Sequence, residues 1–326
     1  MIVSAVVVNF NARDLLLPCL ESLERALAEV SGDTEIIVVD NGSRDGSPAA
    51  VRARHPDARV LELEQNRGFP AAANEGIRAS DADWLLLLNN DATIEPRAVK
   101  ALLEAARGRP RVGSLAAQMR FARGGAINSA GFELDRLGIP FDRHIGEPPT
   151  ISEASPTDVF GACAGAALLR RTMLDDIGGF DGSFFVYLDD VDIAWRARMR
   201  GWTCLYVPSA VVHHHHSATA LHGSRAKYFH VGRNRVRLLA KHMPISHLLR
   251  YGGAIVAYDL AYVLFVAVTD RTLAPLHGRL RGLSEWRTYR GLGADRRPVS
   301  LAPVRGARRA LERRRSALAG TSIAGR

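Results

Sequence analysis

No phosphate-cradling glycine motif occurs anywhere in this chain of 326 residues. The absence of both a P-loop and a GxGxxG turn argues against an ATPase or an NAD-dependent dehydrogenase. Cysteine is scarce: Cys19, Cys163 and Cys204 are odd in number and widely spaced. They build neither a disulfide framework nor a zinc motif, and they suit a reducing cytoplasm. No basic leader precedes the apolar run that begins at Ile2, so a secretory signal is not expected. The residues after that run, Asn9-Phe10-Asn11-Ala12, are not the basic, glycine-rich activation loop of a nucleotidyltransferase.

Positive charge is present but unevenly placed. Arg271 to Arg326 hold fourteen arginines and three acids, a balance of +11; with a formal net charge of +9, the first 270 residues carry −2. This tail lacks the interleaved aromatics of a single-strand binder, so no nucleic acid is expected as a partner. An anionic lipid surface, or plain solvation, accounts for it better. Before it, Tyr251 to Val268 is an 18-residue apolar stretch whose only charge is Asp259. It stands at the lower limit for spanning a bilayer, and a central aspartate there costs about 2.5–3.5 kcal/mol. A helix at the membrane interface or packed on the catalytic domain is favoured over a span.

With 47% hydrophobic residues the chain can bury a substantial core. Strand and helix patterns alternate through its first hundred or so residues. Apolar, strand-like runs at 2–8, 35–39, 60–63, 84–88 and 113–119 alternate with helical patterns at 13–30, 70–79 and 95–106. Such βα units predict an α/β fold, a mostly parallel sheet flanked by helices. Ligands bind beyond the carboxyl ends of such strands. Polar residues gather at those ends: Asn9 and Asn11, then Asp40 and Asn41, then Asn89, Asn90 and Asp91. Gly124 to Asp158 is rich in Gly, Pro and Ser and is expected to cover the site, while Phe160 to Leu169 reads as a buried strand. Another strand at 210–212 enters four consecutive histidines, His213 to His216.

Further on, Asp189, Asp190 and Asp192 open a helix that is expected to end at Gly201. Three acids within four residues serve a helix dipole, a cation or a proton transfer, and the local pattern alone does not choose among these.

The ordered motifs resemble those of the family 2 glycosyltransferases, inverting enzymes of the GT-A fold. They are Val6-Val7-Val8-Asn9-Phe10-Asn11, Val39-Asp40-Asn41-Gly42-Ser43, Asn66-Arg67-Gly68-Phe69 with Asn74, Leu88-Asn89-Asn90-Asp91, Gly179-Phe180-Asp181 and the acid cluster. The resemblance covers residues 3–219 and is nearest to bacterial rhamnosyltransferase-like members that build cell-wall or surface polysaccharide. It implies a GT-A catalytic domain over 1–220 and a helical, basic C-terminal region over 221–326.

From the resemblance, Asp40, with Asn9 close by, is expected to recognise the donor base; an Asx-turn closing the loop is the structural alternative. Asn11, Asn41, Arg67, Asn74, Asn89 and Asn90 complete the nucleotide-sugar set, and Arg233 is a further phosphate contact. Asn89-Asn90-Asp91 occupies the place of the family's aspartate-x-aspartate motif. That leaves Asp91 as the anionic ligand for Mg2+ or Mn2+, with His214 and then His213 as candidate partners. Asp190 is expected to be the general base and Asp189 to position the acceptor. Asp192 is expected to cap the helix or pair with an arginine, and Trp195 to lie in the core. The implied function is transfer of a sugar, rhamnose from dTDP-rhamnose in the leading case, to a glycan or polyprenyl-diphosphate-linked acceptor. The competing function is an inactive sugar-nucleotide-binding scaffold in a polysaccharide assembly complex. The enzyme would be cytoplasmic and peripheral at the inner face of the membrane, with a homodimer among the open oligomeric states.

Overall fold

The structure is a computed structural model that describes residues 1–151, 153–215, 224–292 and 299–304. The arginine-rich stretch beyond Val304, His216 and the expected domain boundary near 220 lie outside the described residues.

Twelve strands form among these residues: β1 (Val3–Asn9), β2 (Thr34–Asp40), β3 (Arg59–Glu62), β4 (Trp84–Leu88), β5 (Ala92–Ile94), β6 (Val112–Phe121), β7 (Ile127–Ser129), β8 (Phe132–Leu134), β9 (Pro140–Asp142), β10 (Thr157–Val159), β11 (Ala166–Arg170) and β12 (Thr203–His214). The main sheet runs β10-β12-β6-β11-β4-β1-β2-β3, with β5 on β12 and β7 on β6. Strands β3, β2, β1 and β4 are parallel neighbours, β11 runs antiparallel between β4 and β6, and β12 is parallel to β6. A separate β8–β9 hairpin is formed by the stretch expected to cover the site.

The helices are α1 (Arg13–Ala28), α2 (Ser47–Arg54), α3 (Phe69–Arg78), α4 (Ala98–Ala106), α5 (Arg171–Ile177), α6 (Asp189–Met199), α7 (Arg225–His242), α8 (Ile245–Thr269), α9 (Ala274–Ser284) and α10 (Trp286–Leu292). Alternation along β1 divides the core. Val3, Ala5 and Val7 pack with Leu16, Leu20 and Leu23 of α1 and Leu102 of α4, while Val6 packs with Ala72, Ala73 and Ile77 of α3. Both faces of the sheet are therefore covered, and each fully buried Val, Leu or Ile contributes about 1.5–3 kcal/mol.

Two local expectations change. The run Phe160 to Leu169 is strand only from Ala166, because Gly161 and Gly165 bring irregular backbone close to its neighbours. A Cβ on Gly165 would lie 2.9 Å from Asn89 Nδ2, so the small residue is needed where this backbone passes the end of β4. The strand expected at 210–212 begins instead at Thr203 and includes an irregularity between Val207 and Val211, where Pro208 interrupts the ladder.

A third apolar cluster joins Phe184, Val191 and Trp195 to Leu238, Leu239, Ala240 and Met243 of α7. The core thus runs across the division expected near residue 220. Charge completes this interface: Arg235 pairs with Asp259 of α8 at 2.7 Å, and Arg237 pairs with Glu285 at 2.6 Å. Asp259 also meets Arg279 of α9 at 2.7 Å. The single acid of the apolar segment is therefore an anchor that fastens one face of α8 to the molecule. The exposed side carries Ile245, Leu249, Val256, Leu260 and Leu264. By length and composition α8 is long and apolar enough to cross a membrane, and 17% of its most apolar stretch is buried.

Candidate active site

The carboxyl ends of β1, β2 and β4 converge on a cleft of about 980 Å³, closed on its other sides by the β8–β9 hairpin, the Phe185–Val191 segment and the start of α7. The loops after β1 and β2 are fastened together by their own polar side chains. Asn9 Nδ2 donates to Asp40 Oδ1 at 3.0 Å and to Ser43 Oγ at 3.2 Å, and Asn9 Oδ1 accepts from Asn90 Nδ2 at 2.9 Å. Asn11 has φ 49° and accepts from the Arg44 N–H at 2.8 Å, while its own N–H donates to Ser43 Oγ at 2.9 Å. Asp40 Oδ2 accepts from the Ser43 N–H at 2.9 Å. Asp40 is 2% exposed, so the loop-closing turn is the role its geometry displays; Asn11 and Asn41 stand at the cleft wall.

Several expected donor-binding residues are occupied elsewhere. Asn74 does not line the cleft: Nδ2 donates to Phe180 O at 2.7 Å and Oδ1 accepts from Phe180 N at 2.9 Å, clamping a backbone 106 residues away. Arg67 pairs with Glu75 at 2.8 Å. Arg233 donates to Phe184 O at 3.2 Å and lies over the Phe229 ring, which makes it a backbone anchor. Asn41 holds the Asn66–Gly68 turn, donating to Asn66 Oδ1 at 3.0 Å and accepting from the Arg67 N–H at 2.9 Å.

Asn89, Asn90 and Asp91 all line the cleft. His214 Nε2 lies 3.1 Å from Asp91 Oδ1 and 3.4 Å from Asn89 Nδ2, and its Nδ1 lies 2.9 Å from Asn128 Oδ1. His213 points away from this group, to Glu95 at 3.1 Å. The parity of the strand thus selects His214 and removes His213 from the metal set. A carboxylate oxygen and an imidazole nitrogen about 3 Å apart match the spacing of adjacent ligands on an ion with bonds of about 2.1 Å. Among the described residues no group of three or more His, Cys, Asp or Glu could hold a metal. The donor set is therefore partial: it fits a cation that takes its remaining oxygens from a bound diphosphate and water.

Asp189 and Asp190 line the other part of the cleft wall. Burial pushes both carboxyls above the usual carboxylate range, and the mutual repulsion of the pair adds to the effect on Asp189. Next to burial, the largest influence on Asp190 is Asp142 on β9, an acid that sequence reasoning missed because it reaches the site only through the hairpin. Asp190 Oδ1 accepts from the Val191 N–H at 2.9 Å. Asp192 is wholly buried on a different side of α6, with Arg196, Lys241 and His242 each at 2.8 Å. Trp195 is in the core, stacked on His242 at 4.9 Å. Of the three acids, Asp192 thus pairs away from the cleft that Asp189 and Asp190 line.

The sequence profile described as Glycosyl transferase family 2 matches residues 4–178. The chain belongs to this family. Among family 2 relatives, it is 36% identical over 222 residues to the N-acetylglucosaminyl-diphospho-decaprenol L-rhamnosyltransferase of Mycobacterium tuberculosis, covering 59% of this chain and 71% of that protein. The pre-mycofactocin glycosyltransferase of Mycobacterium tuberculosis is 30% identical over 247 residues, 73% of this chain and 49% of that one. In fold the chain is similar to GalNAc-T7 solved with UDP, GalNAc and Mn2+, with a TM-score of 0.61, 14% identity, and 90% and 58% of the two chains covered. It is also similar to the mannosyltransferase PcManGT from Pyrobaculum calidifontis in complex with GDP-Man and Mn2+, with a TM-score of 0.55, 19% identity, and 90% and 84% covered. The expected GT-A architecture is the one this family 2 glycosyltransferase has.

Proposed function

We propose that this glycosyltransferase is an inverting, metal-assisted enzyme of cell-wall or surface polysaccharide synthesis. In this reading it transfers rhamnose from dTDP-rhamnose to a hydroxyl of a polyprenyl-diphosphate-linked glycan. The observation that carries the reading is the meeting, in one cleft, of Asp91, with His214 at 3.1 Å from it, and a carboxylate pair of raised proton affinity. The similarity to a mycobacterial rhamnosyltransferase supports the sugar and the lipid-linked acceptor.

In the proposed reaction Asp190 accepts the proton of the acceptor hydroxyl as its oxygen attacks the anomeric carbon. The new C–O bond forms as the bond to the donor diphosphate breaks on the opposite face, and a nucleoside diphosphate leaves. A carboxylate whose proton affinity is raised towards neutrality is better matched to this task than an ordinary one. Asp189 shares the buried negative charge and positions the acceptor. Asp91, with His214 and donor oxygens, would hold a divalent cation, which supplies charge neutralisation for the departing diphosphate.

A screen of dTDP-, UDP- and GDP-sugars, with and without manganese, tests the donor. Transfer is expected from dTDP-rhamnose and is expected to disappear on chelation. Because the protein contributes few ligands, Asp91→Asn is expected to raise the manganese concentration for half-maximal rate by at least about 10–100-fold, the scale on which even indirect metal partners act. An unchanged manganese dependence would remove Asp91 from the cation site.

The same reading places the enzyme at the inner face of the membrane, where a lipid-linked acceptor resides. The exposed row on α8 and the arginines around it would meet anionic lipid. Leu249, 81% exposed, is the most exposed member of that row. Leu249→Glu is expected to weaken binding to anionic vesicles by about tenfold or more, since burial of one leucine contributes about 1.5–3 kcal/mol. Sedimentation with vesicles at unchanged affinity would count against a membrane role for α8.

A further inference from the structure

We propose that Asn234 of α7 is a positioning residue for the acid pair, holding in place the strained segment that delivers Asp189 and Asp190 to the cleft. The inference rests on the reading of Asp190 as base and adds a residue that no motif assigned to the chemistry.

Between Phe184 and Asp189 the backbone is unusual. Phe185, Tyr187 and Leu188 have φ of 64°, 67° and 63°, all in the left-handed region, and none is glycine. Such residues persist only where the surroundings over-determine them, and they concentrate at working sites. Leu188 is also the residue that starts α6, and it does so without any side-chain cap. The direction in which the first turn presents Asp189 and Asp190 therefore depends on this segment keeping its conformation.

Two neighbours hold it. On the donor side, the Phe69 N–H donates to Phe185 O at 2.8 Å, and a Cβ on Gly68 would collide with the same carbonyl oxygen. On the other side stands Asn234, wholly buried, whose Nδ2 lies 2.9 Å from each of the carbonyl oxygens of Phe184, Val186 and Tyr187. Its two N–H bonds are shared among three carbonyls that belong to no strand or helix ladder. Phe184 O also accepts from the Val186 N–H at 2.7 Å and from Arg233 at 3.2 Å, but among the described residues the Val186 and Tyr187 carbonyls have Asn234 as their donor, so the amide helps make the curled conformation the satisfied one. Phe185, Tyr187 and Leu188 line the cleft between the Asn66–Phe69 turn and the acid pair. Asn234 thus fixes, from a helix beyond the expected catalytic domain, the distance from donor to base.

The test compares Asn234→Ala with wild type in the full chain, with Asp190→Asn as a parallel control. For Asn234→Ala, kcat for transfer is expected to fall about 100-fold, the usual consequence of a displacement of about 1 Å at a reacting group. The donor dissociation constant should stay within about threefold, because a change confined to the transition state leaves ground-state binding alone. Amide hydrogen exchange across 184–188 should accelerate. Adding Leu188→Gly should then restore at least about tenfold of kcat, since glycine adopts a positive φ without steric penalty. A merely structural asparagine predicts the opposite for that double variant, which also loses an apolar side chain.

A kcat within threefold of wild type, a parallel loss of turnover and donor affinity, or no gain from Leu188→Gly overturns the proposal. Failure of both Asn234→Ala and the milder Asn234→Ser to fold overturns it as well. If Asp190→Asn turns over like wild type, it is the assignment of the base that fails, while exchange across 184–188 still reports whether Asn234 holds the segment.

Discussion

Asp190→Asn is expected to lower transfer by about 10²–10⁴-fold, the range over which a positioned general base acts, while leaving donor binding within a few-fold of wild type. Asparagine keeps the shape and can still accept from the Val191 N–H, whose bond to Asp190 Oδ1 is 2.9 Å long, but it cannot take a proton. Stability separates this outcome from misfolding. Burial and Asp142 hold the Asp190 carboxyl above its usual range, so its ionisation at neutral pH opposes folding. For a carboxylate raised in this way, stability is fully present below the unfolded value near 4 and is lost as pH rises through the folded value. Removing the charge should therefore raise the thermal midpoint at pH 7.5 even as activity disappears. The wild-type pH profile follows from the same shift. Activity needs the ionised base, so the acid limb of kcat/KM should lie above the usual carboxylate range, and Asp142→Asn should move it down. Transfer by Asp190→Asn at an undiminished rate, or an acid limb near pH 4, would exclude Asp190 as the base.

Much of this site could be read from local pattern, for a physical reason. The strands β1, β2 and β4 are apolar runs apart from Ser4, Thr34 and Glu35, and each ends where polar residues begin, as burial on both faces favours. The positions of Asn9, Asp40 and Asp91 follow from that alone. What was not legible depends on contacts between distant segments. Asn74 lies on α3 as expected, yet its partner is the Phe180 backbone, and no spacing rule connects the two. The choice between His213 and His214 is a question of strand parity. The irregularity between Val207 and Val211 resets that parity before the histidines are reached. Asp142 arrives on a short hairpin and Asn234 on a C-terminal helix, so neither could be joined to the acid pair before the chain was folded.

Asp192 illustrates the converse, a residue whose charge serves the fold. Sequence placed it two positions after Asp190 and turned away from it; the structure surrounds its wholly buried carboxylate with Arg196, Lys241 and His242. Although burial alone would raise its proton affinity, Arg196 and the other cations hold it far below the usual range. A carboxylate depressed in this way contributes stability at every pH above its unfolded value near 4, and that contribution is lost only as pH falls towards the much lower folded value. At neutral pH the contribution is complete. Asp192→Ala would leave three nitrogen-bearing groups around an emptied site, two of them permanently charged. Breaking a buried pair from one side destabilises by about 3–5 kcal/mol, which in a chain of 326 residues corresponds to a thermal midpoint lower by roughly 4–7 °C. Because Asp192 ties α6 to α7, the loss should appear at the helix that carries Asp189 and Asp190, as faster amide exchange there than in β1 or β2. Lys241 keeps its pair with Asp181 at 2.8 Å, so it is removal of Arg196 as well, by Arg196→Met, that should recover part of the stability. A midpoint within about 2 °C of wild type would mean that solvent reaches Arg196 and Lys241 once Asp192 is gone, and that the α6–α7 contact is held by Trp195 and its apolar neighbours alone.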